Sequence, residues 1–162
     1  MKELTDEQIA EYFRRSYTAA DGLWFMKVED KFGFDAALEV DDQVWGVLPK
    51  IQARTLKTMM DLDNGMDGLY RSVTVRLGLE GFEFEAVRNG QGFIIFIRRC
   101  PWHDIMVKSG RAHLSEKVSS RICREENKVW ATEFGGISFE LEAQICKGRE
   151  GCTLLFYEPG EM

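Results

Sequence analysis

The spacing of apolar residues along this chain changes near residue 80. Before that point apolar side chains recur every three or four residues, the spacing of helices with one buried face. After Gly81, Phe82, Phe84 and Ala86 alternate with glutamates, which is the period of a strand with one solvent-facing side. The pattern therefore predicts helices first and a sheet second.

The N-terminal segment is predicted to be helical. Thr5 and Gln8 fit a capping box, with the threonine as the N-cap and the glutamine at the third helical position. Apolar residues follow at helical spacing to about residue 20. Asp21-Gly22 is expected to break or bend the helix before residues 23 to 31 resume the pattern.

A further helical region is predicted over residues 33 to 62, interrupted near Gly46 and Pro49 because both residue types disfavour helix interiors. One apolar stripe is expected to mark its buried face: Val44, Leu48, Ile51, Thr55, Met59 and Leu62. The tryptophans and methionines of this half are predicted to pack in a core rather than line a ligand pocket: Trp24, Met26, Trp45, Met59 and Met60. A short helix is expected over residues 68 to 77.

Strands are predicted in the second half of the chain. Asn89-Gly90 is typical of a tight hairpin turn, so the apolar run 92 to 99 should return antiparallel beside the first strand. Residues 137 to 145 alternate strictly between apolar and polar side chains. A last strand is expected over residues 152 to 157, as the hairpin partner of the preceding one.

The order of these elements predicts one α+β domain over residues 1 to 162. N-terminal helices, to residue 78, precede an antiparallel sheet of about four strands with helices packed on it. The α+β part, residues 79 to 162, includes an amphipathic helix over residues 111 to 126. A chain of 162 residues, 44% of them hydrophobic, is long enough to bury a sizeable core. Pro159-Gly160 is expected to close the fold.

Charge and composition exclude some classes of function. The net charge of -6 argues against a general nucleic-acid binder. No apolar run approaches the roughly 18 residues that span a membrane, and the N-terminus lacks the apolar centre of a signal peptide. We therefore expect a cytoplasmic protein without a membrane partner. A reducing cytosol disfavours disulfides, so the four cysteines point to metal binding, catalysis or burial.

A basic segment, residues 98 to 128, interrupts this acidic chain. It contains eight Lys and Arg against four Asp and Glu, together with both histidines and two of the four cysteines. Positive charge beside a thiol lowers its pKa and attracts anions, so a small anionic molecule is a candidate ligand. The alternative is a pair of helices with solvated basic faces.

The candidate site starts at Cys100-Pro101-Trp102-His103, where the second predicted strand ends. A thiol and an imidazole three residues apart make half of a typical zinc site, and proline directs the chain out of the sheet. Thiolates with an imidazole select zinc or an iron-sulfur cluster over magnesium or calcium. The candidate metal ligands are Cys100, His103, Cys123, Cys146 and Cys152, with zinc preferred. The alternative is that the cysteines are buried and only pack.

The sequence assigns no catalytic residue. His113 opens a helix without a cysteine nearby and is a candidate for a supporting role. Asp104, Glu125 and Glu126 are candidate general bases, although acids on helices are commonly solvated. The sequence contains no cysteine-protease signature and no phosphate-binding loop.

The cysteine pattern resembles a known family. An apolar strand ending in Cys100-Pro101, then Cys123-Arg124-Glu125-Glu126, then Gly148-x-x-x-Cys152, is similar to the L-2-amino-thiazoline-4-carboxylate hydrolase-like family. The pattern is also similar to that of 4-vinyl reductase-type domains, small ligand-binding modules in which cysteines can hold a metal. The resemblance covers about residues 80 to 157 and implies site roles for the cysteines in these three motifs. His103 rests on spacing alone, and Cys146 is an additional thiol.

Three functions remain open from the sequence. The resemblance implies a hydrolase that opens a thiazoline ring, and zinc with three protein ligands would supply the attacking water for a small carboxylated substrate. With four ligands the site would be closed, and the chain would be a binding or sensory module with a structural metal. An iron-sulfur protein using all four cysteines is the third. A homodimer through the N-terminal helices is also open.

Overall fold

The computed structural model describes residues 3 to 158 and residue 160. The helices are α1 (Asp6–Phe32), α2 (Phe34–Trp45), α3 (Leu48–Met59), α4 (Met66–Glu80), α5 (Pro101–Lys108) and α6 (Ser115–Glu133). The strands are β1 (Glu83–Asn89), β2 (Gly92–Arg99), β3 (Ser138–Leu141) and β4 (Cys152–Tyr157). Two 3-10 turns, Ala112–Leu114 and Ile145–Lys147, precede α6 and β4. The predicted fold class is confirmed, while Pro159 lies outside the described residues.

The chain divides into two compact units, Met1–Asp41 and Asp42–Met162. In the first, α1 begins at the predicted capping box: the Gln8 backbone N–H donates to Thr5 Oγ1, and the Thr5 N–H donates to Gln8 Oε1. The predicted break at Asp21-Gly22 is wrong, since α1 runs through it. One glycine destabilises a helix by only about 1 kcal/mol, and the helical turns on both sides of Gly22 offset this loss.

The second unit contains one antiparallel sheet with strand order β1-β2-β4-β3. The hairpin predicted from Asn89-Gly90 is confirmed, because Asn89 pairs with Gly92 where β1 meets β2. The central strand β2 turns Phe93, Ile95 and Ile97 into the core, and Phe96 is exposed on its other side. The sheet therefore has one face covered by apolar packing.

The third strand is shorter than its sequence pattern predicts. Alternation extends from 137 to 145, whereas β3 ends at Leu141. The chain must then reverse before Cys152, and residues 145 to 147 do so in a 3-10 turn that ends in the left-handed conformation at Gly148. Backbone hydrogen bonds to β4 continue as far as the Glu142 N–H and the Ala143 carbonyl oxygen, both paired with Thr153. The alternation then fails, since the polar residue Gln144 is buried.

The buried face of α3 differs from the predicted stripe. Val44, Ile51 and Met59 are exposed, Met59 by 77%, and the helix buries Pro49 and Ala53 instead. The prediction that tryptophans and methionines pack in a core is correct for Trp45, which is buried. Met60 is partly buried and packs against the hydrophobic core. It is wrong for the others, which are exposed: Trp24, Met26 and Met59.

Helices α4 and α6 supply most of the remaining core of the second unit. Leu69, Val73 and Leu77 of α4 and Trp130 of α6 pack with the inward side chains of β2 and β4. Both helices are longer than the predicted segments, and α5 was not predicted. Its first turn begins with a proline, which suits the first position of a helix.

Candidate functional site

The four cysteines lie on four different elements but line one cavity. Cys100 is the N-cap of α5, Cys123 lies in α6, Cys146 in the second 3-10 turn, and Cys152 opens β4. His103 lines the same cavity, which has a volume of about 40 Å³. The side chains predicted to form a site therefore line one shared cavity.

Strand pairing brings Cys100 and Cys152 to the same end of the sheet. Ile97 of β2 pairs with Cys152 of β4, and Cys100 follows three residues later. Gly151 makes this approach possible, because a Cβ there would lie 2.6 Å from the Ile97 carbonyl oxygen. Any other residue at 151 would push the two strands apart beneath the cavity.

Cys146 reaches the cavity through the second 3-10 turn. The predicted strand over residues 137 to 145 would have led directly to Cys146, but β3 ends at Leu141, before the chain reaches it. The 3-10 turn places it instead. The same turn directs the Ile145 backbone N–H to Cys152 Sγ at 3.3 Å, so the turn and the start of β4 are tied together at the sulfur.

One ring nitrogen of His103 already has a partner. His103 Nδ1 lies 2.8 Å from Ser115 Oγ, and Ser115 is fully buried at the start of α6. This contact fixes the ring and leaves Nε2 as the nitrogen available to a ligand. A histidine held in this way through one nitrogen is typical of metal-binding histidines.

Burial raises the pKa of all four thiols. Desolvation raises that of Cys100 to about 12, opposed by the backbone N–H groups of His103 and Trp102 at the start of α5. For Cys123, burial has the largest effect, and the other three cysteines each add to it. The raised pKa values of Cys146 and Cys152 likewise come first from burial. At neutral pH these groups are therefore thiols unless a cation is bound.

The basic segment does not lower these pKa values as the sequence suggested. Three of its arginines form ion pairs with acids: Arg98 with Glu85 at 2.7 Å, Arg99 with Asp104 at 2.6 Å, and Arg121 with Asp42 at 2.7 Å. The solvated-face alternative describes this segment better. Asp104, a candidate general base, is used in one of these surface pairs.

A buried polar cluster beside the thiols was not predicted from the sequence. Arg76 of α4 is 3% exposed, and its Nη1 lies 2.7 Å from Glu126 Oε1. Its Nη2 donates to Asn127 Oδ1 at 3.2 Å, and the Asn127 amide donates to the Cys123 carbonyl oxygen at 2.7 Å. Arg76, Glu126 and Asn127 all line the cavity. Glu126 is thus the partner of a buried arginine rather than a free base.

Glu80 lies at the end of α4, and its carboxyl oxygens are buried. Burial and the neighbouring Glu126 raise its pKa to about 7, while Arg76 and Trp102 oppose the shift. Two acids and one arginine therefore share a dry region. Placing a second negative charge there is costly, so Glu80 holds a proton more readily than an exposed glutamate.

Periodicity contained the signal for this cluster. Arg76 stands on the buried face of α4, between Val73 and Leu77, and Glu126 stands between Ile122 and Trp130 on the buried face of α6. A charged residue at an apolar position on each of two helices indicates a buried pair. His113, by contrast, lies on an exposed 3-10 turn and does not line the cavity.

The side chains are not arranged as a coordination sphere. Among residues 3 to 158 and 160, no three His, Cys, Asp or Glu side chains are placed so that they could hold a metal ion. The predicted ligands share a cavity, and metal binding stays a prediction. In the same residues no helix is long and apolar enough to cross a membrane.

Comparison with known proteins gives a family. A model of a family of unknown function, DUF6125, matches residues 2–129, which include Cys100, His103 and Cys123 but neither Cys146 nor Cys152. No curated protein and no solved structure matches the chain. The match covers well over half of the sequence, and this chain belongs to the DUF6125 family.

Proposed function

We propose that this chain holds a soft transition-metal ion, zinc in the first place, between the thiolates of Cys100, Cys123, Cys146 and Cys152. His103 is the alternative ligand to one of the four. The observation that carries the proposal is that every cysteine of the chain lines the same cavity although they come from four elements. Four thiols converging on one space suit a zinc site better than packing alone.

The size of the cavity favours an ion over a substrate. A water molecule needs about 10 to 15 Å³ on this measure, so 40 Å³ admits an ion or a few waters. Sites for organic ligands usually measure about 300 to 1,000 Å³. The hydrolase implied by the resemblance needs room for a small carboxylated substrate beside the metal. The cavity gives none, so we favour a closed, non-catalytic centre.

Backbone donors at the sulfurs support thiolate ligands. The N–H groups of Trp102 and His103 act on Cys100 and lower its pKa, and the Ile145 N–H donates to Cys152 Sγ. Such contacts stabilise the negative form of sulfur over the neutral form. In the described residues, these N–H groups are the only contacts of Cys100 and Cys152 that oppose the rise in pKa caused by burial. Their effect is largest when a metal ion has replaced the proton of the thiol.

Binding requires the ligands to move closer together. A zinc ion needs sulfurs about 2.3 Å away in a tetrahedron, and the donors are not yet that close. A cysteine side chain changes its sulfur position by one rotation about Cα–Cβ. The segment between Cys146 and Cys152 is exposed from 147 to 150, so the 3-10 turn can follow its cysteine without disturbing the core.

The bound metal would act as a clamp. Cys100 follows the end of β2, Cys123 lies in α6 and Cys152 begins β4, so one ion would tie the end of the sheet to α6. Folding and metal binding are then coupled. At a zinc concentration a hundredfold above its Kd, the free energy of unfolding should rise by about 2.7 kcal/mol.

The test is zinc analysis of the full chain after loading and removal of free metal. We expect one tightly held zinc per chain, protection of the four thiols from alkylation, and thiolate charge-transfer absorption after cobalt substitution. Replacing any one cysteine by serine should weaken zinc binding at least about tenfold. A brown protein with iron and sulfide would favour the iron-sulfur alternative.

The two histidines provide a matched control. His113→Ala should leave zinc affinity unchanged, because His113 lies outside the cavity. His103→Ala lowers it if the imidazole replaces one thiol. Full alkylation of all four thiols in the folded, zinc-loaded wild-type chain would refute the proposal, and this measurement does not depend on whether a cysteine variant folds.

A further inference from the structure

Helix α1 carries an exposed apolar stripe. None of its residues is buried, and Tyr12, Phe13 and Trp24 are each about two-thirds exposed, at 64%, 64% and 67%. With Ile9 and Leu23 they fall within an arc of roughly 120° on a helix of 3.6 residues per turn. Large apolar residues on one face of a 27-residue helix are typical of a surface that another helix covers.

The opposite side of α1 is charged and internally paired. Glu11 forms ion pairs with Arg14 and with Arg15, the latter at 2.6 Å, and these three residues point away from the stripe by helical geometry. Lys27 lies in line with the stripe near its C-terminal end, where it pairs with Asp30 at 2.9 Å. The side opposite the stripe is also the less exposed one, since Glu11, Arg14, Thr18, Gly22 and Phe25 are all half-buried. The apolar stripe is therefore the more exposed face of the helix.

We propose that two copies of this chain associate through antiparallel packing of their α1 helices along this stripe. Small exposed residues, Ser16, Ala19 and Ala20, occupy its middle and permit close approach where the helices cross. The larger side chains flank them on both sides along the helix. A two-fold axis near residues 18 and 19 then places the N-terminal half of each stripe on the C-terminal half of the other.

Charge and ring positions set the register. In an antiparallel pair centred there, Phe13 of one helix faces Trp24 of the other, and Asp6 faces Lys31. All four residues lie on the same flank of the stripe, and the same flanks face each other in antiparallel helices. Asp6 and Lys31 are both exposed. Each contact occurs twice by symmetry, so two aromatic pairs and two opposite-charge pairs form together.

The area available is consistent with a dimer. A buried aromatic side chain covers about 150 to 250 Å², so the exposed parts of the three aromatic residues, with Ile9 and Leu23, offer about 500 Å² per chain. This is at the upper end of the largest apolar patch on a typical monomer. With neighbouring small and polar residues it approaches the roughly 800 Å² per partner of a stable interface.

The first test measures the mass of the full chain by light scattering over a range of concentrations. We expect a dimer, and Phe13→Glu should weaken association at least about a hundredfold by placing two buried charges at the interface. Met26→Glu is the matched control, because Met26 is 38% exposed on the same helix but lies outside the stripe. Circular dichroism checks that both variants keep their helix.

The second test is a charge exchange specific to the antiparallel register. Asp6→Lys or Lys31→Asp alone should weaken the dimer about fivefold or more, since each creates two like-charge contacts. The double variant should return close to wild-type affinity. A chain that is monomeric at all concentrations, a dimer insensitive to Phe13→Glu, or a double variant no stronger than the single ones would each overturn the proposal.

Discussion

The two units of this protein use the same kind of apolar pattern for different ends. In the unit that begins at Asp42, the core side chains of α4 and α6 pack against those of the sheet and are each at most 1% exposed: Leu69, Val73, Leu77 and Trp130. In the unit that ends at Asp41, α1 has apolar residues at helical spacing and buries none of them. One pattern makes a core, and the other makes a surface.

This difference shows what helical periodicity measures. It shows that one face of a helix is apolar and becomes buried, but it does not show which element or molecule covers that face. The core of the second unit is covered by its own strands. We assign the α1 face to a second copy of the chain. Substitutions at matched residues in the two units test this contrast directly.

The largest contrast is expected between two phenylalanines. Phe93 is 1% exposed, and its ring stacks on Phe156 at 4.6 Å and meets Tyr70 edge-on at 5.2 Å. Phe93→Ala should lower the free energy of unfolding by about 3 to 5 kcal/mol. Phe32→Ala, at an exposed residue of α1 outside the stripe, should change it by less than about 0.5 kcal/mol.

Chemical denaturation followed by circular dichroism measures both variants. Equal losses would mean that Phe32 is buried in solution and that the two units are not distinct in the way described. A loss near zero for Phe93→Ala would mean that the aromatic cluster on the sheet contributes little to stability.

Local signals in the sequence predicted local structure well. The capping box at Thr5, the Asn89-Gly90 hairpin and the strand from Cys152 are all confirmed, because each depends on a few neighbouring residues. The break at Asp21-Gly22 was wrong because tolerance of one glycine depends on the whole helix. The predicted buried face of α3 was wrong because the helix buries Pro49 and Ala53, and which face is buried depends on tertiary contacts.

The site was predictable in composition but not in construction. Soft-ligand chemistry selected the four cysteines and His103, which line one cavity. The backbone geometry that brings these side chains together was not predicted, since the 3-10 turn at Cys146 and the close approach at Gly151 are consequences of strand pairing. The buried pair of Arg76 and Glu126 was also missed, because Glu126 was considered only as a candidate general base, although each residue stands at an apolar position of its helix.

An intermediate contrast concerns two glutamates and pH. Burial and Glu126 raise the pKa of Glu80 to about 7, from an ordinary value of 4.5. Between these values the folded chain binds a proton that the unfolded chain releases, so the free energy of unfolding should fall as pH rises from about 4.5 to 7. Burial also raises the pKa of Glu126, so the two glutamates contribute in the same direction. We expect a fall of about 2 kcal/mol for the pair, measured by denaturation at several pH values.

Glu80→Gln should remove most of this slope, since an amide does not titrate. Glu11 is the control from the first unit: Arg15 and Arg14 lower the pKa of this exposed carboxyl, so its contribution has the opposite sign and is lost as pH falls. Glu11→Gln should leave the slope between pH 4.5 and 7 intact. A Glu80→Gln chain with the wild-type slope would show that another group is responsible.

The smallest contrast uses one glycine in each unit. Gly22 of α1 and Gly78 of α4 both lie in helices, and a Cβ at either would meet nothing within 4 Å. Replacing either by alanine restricts the unfolded chain and should stabilise by about 0.5 to 1 kcal/mol. Equal gains would show that α1 is as fully formed in solution as the core helix. A gain at Gly78 with none at Gly22 would show that α1 unfolds before the core does. Comparing the midpoint of denaturation with the loss of helical signal distinguishes equal gains from a gain at Gly78 alone.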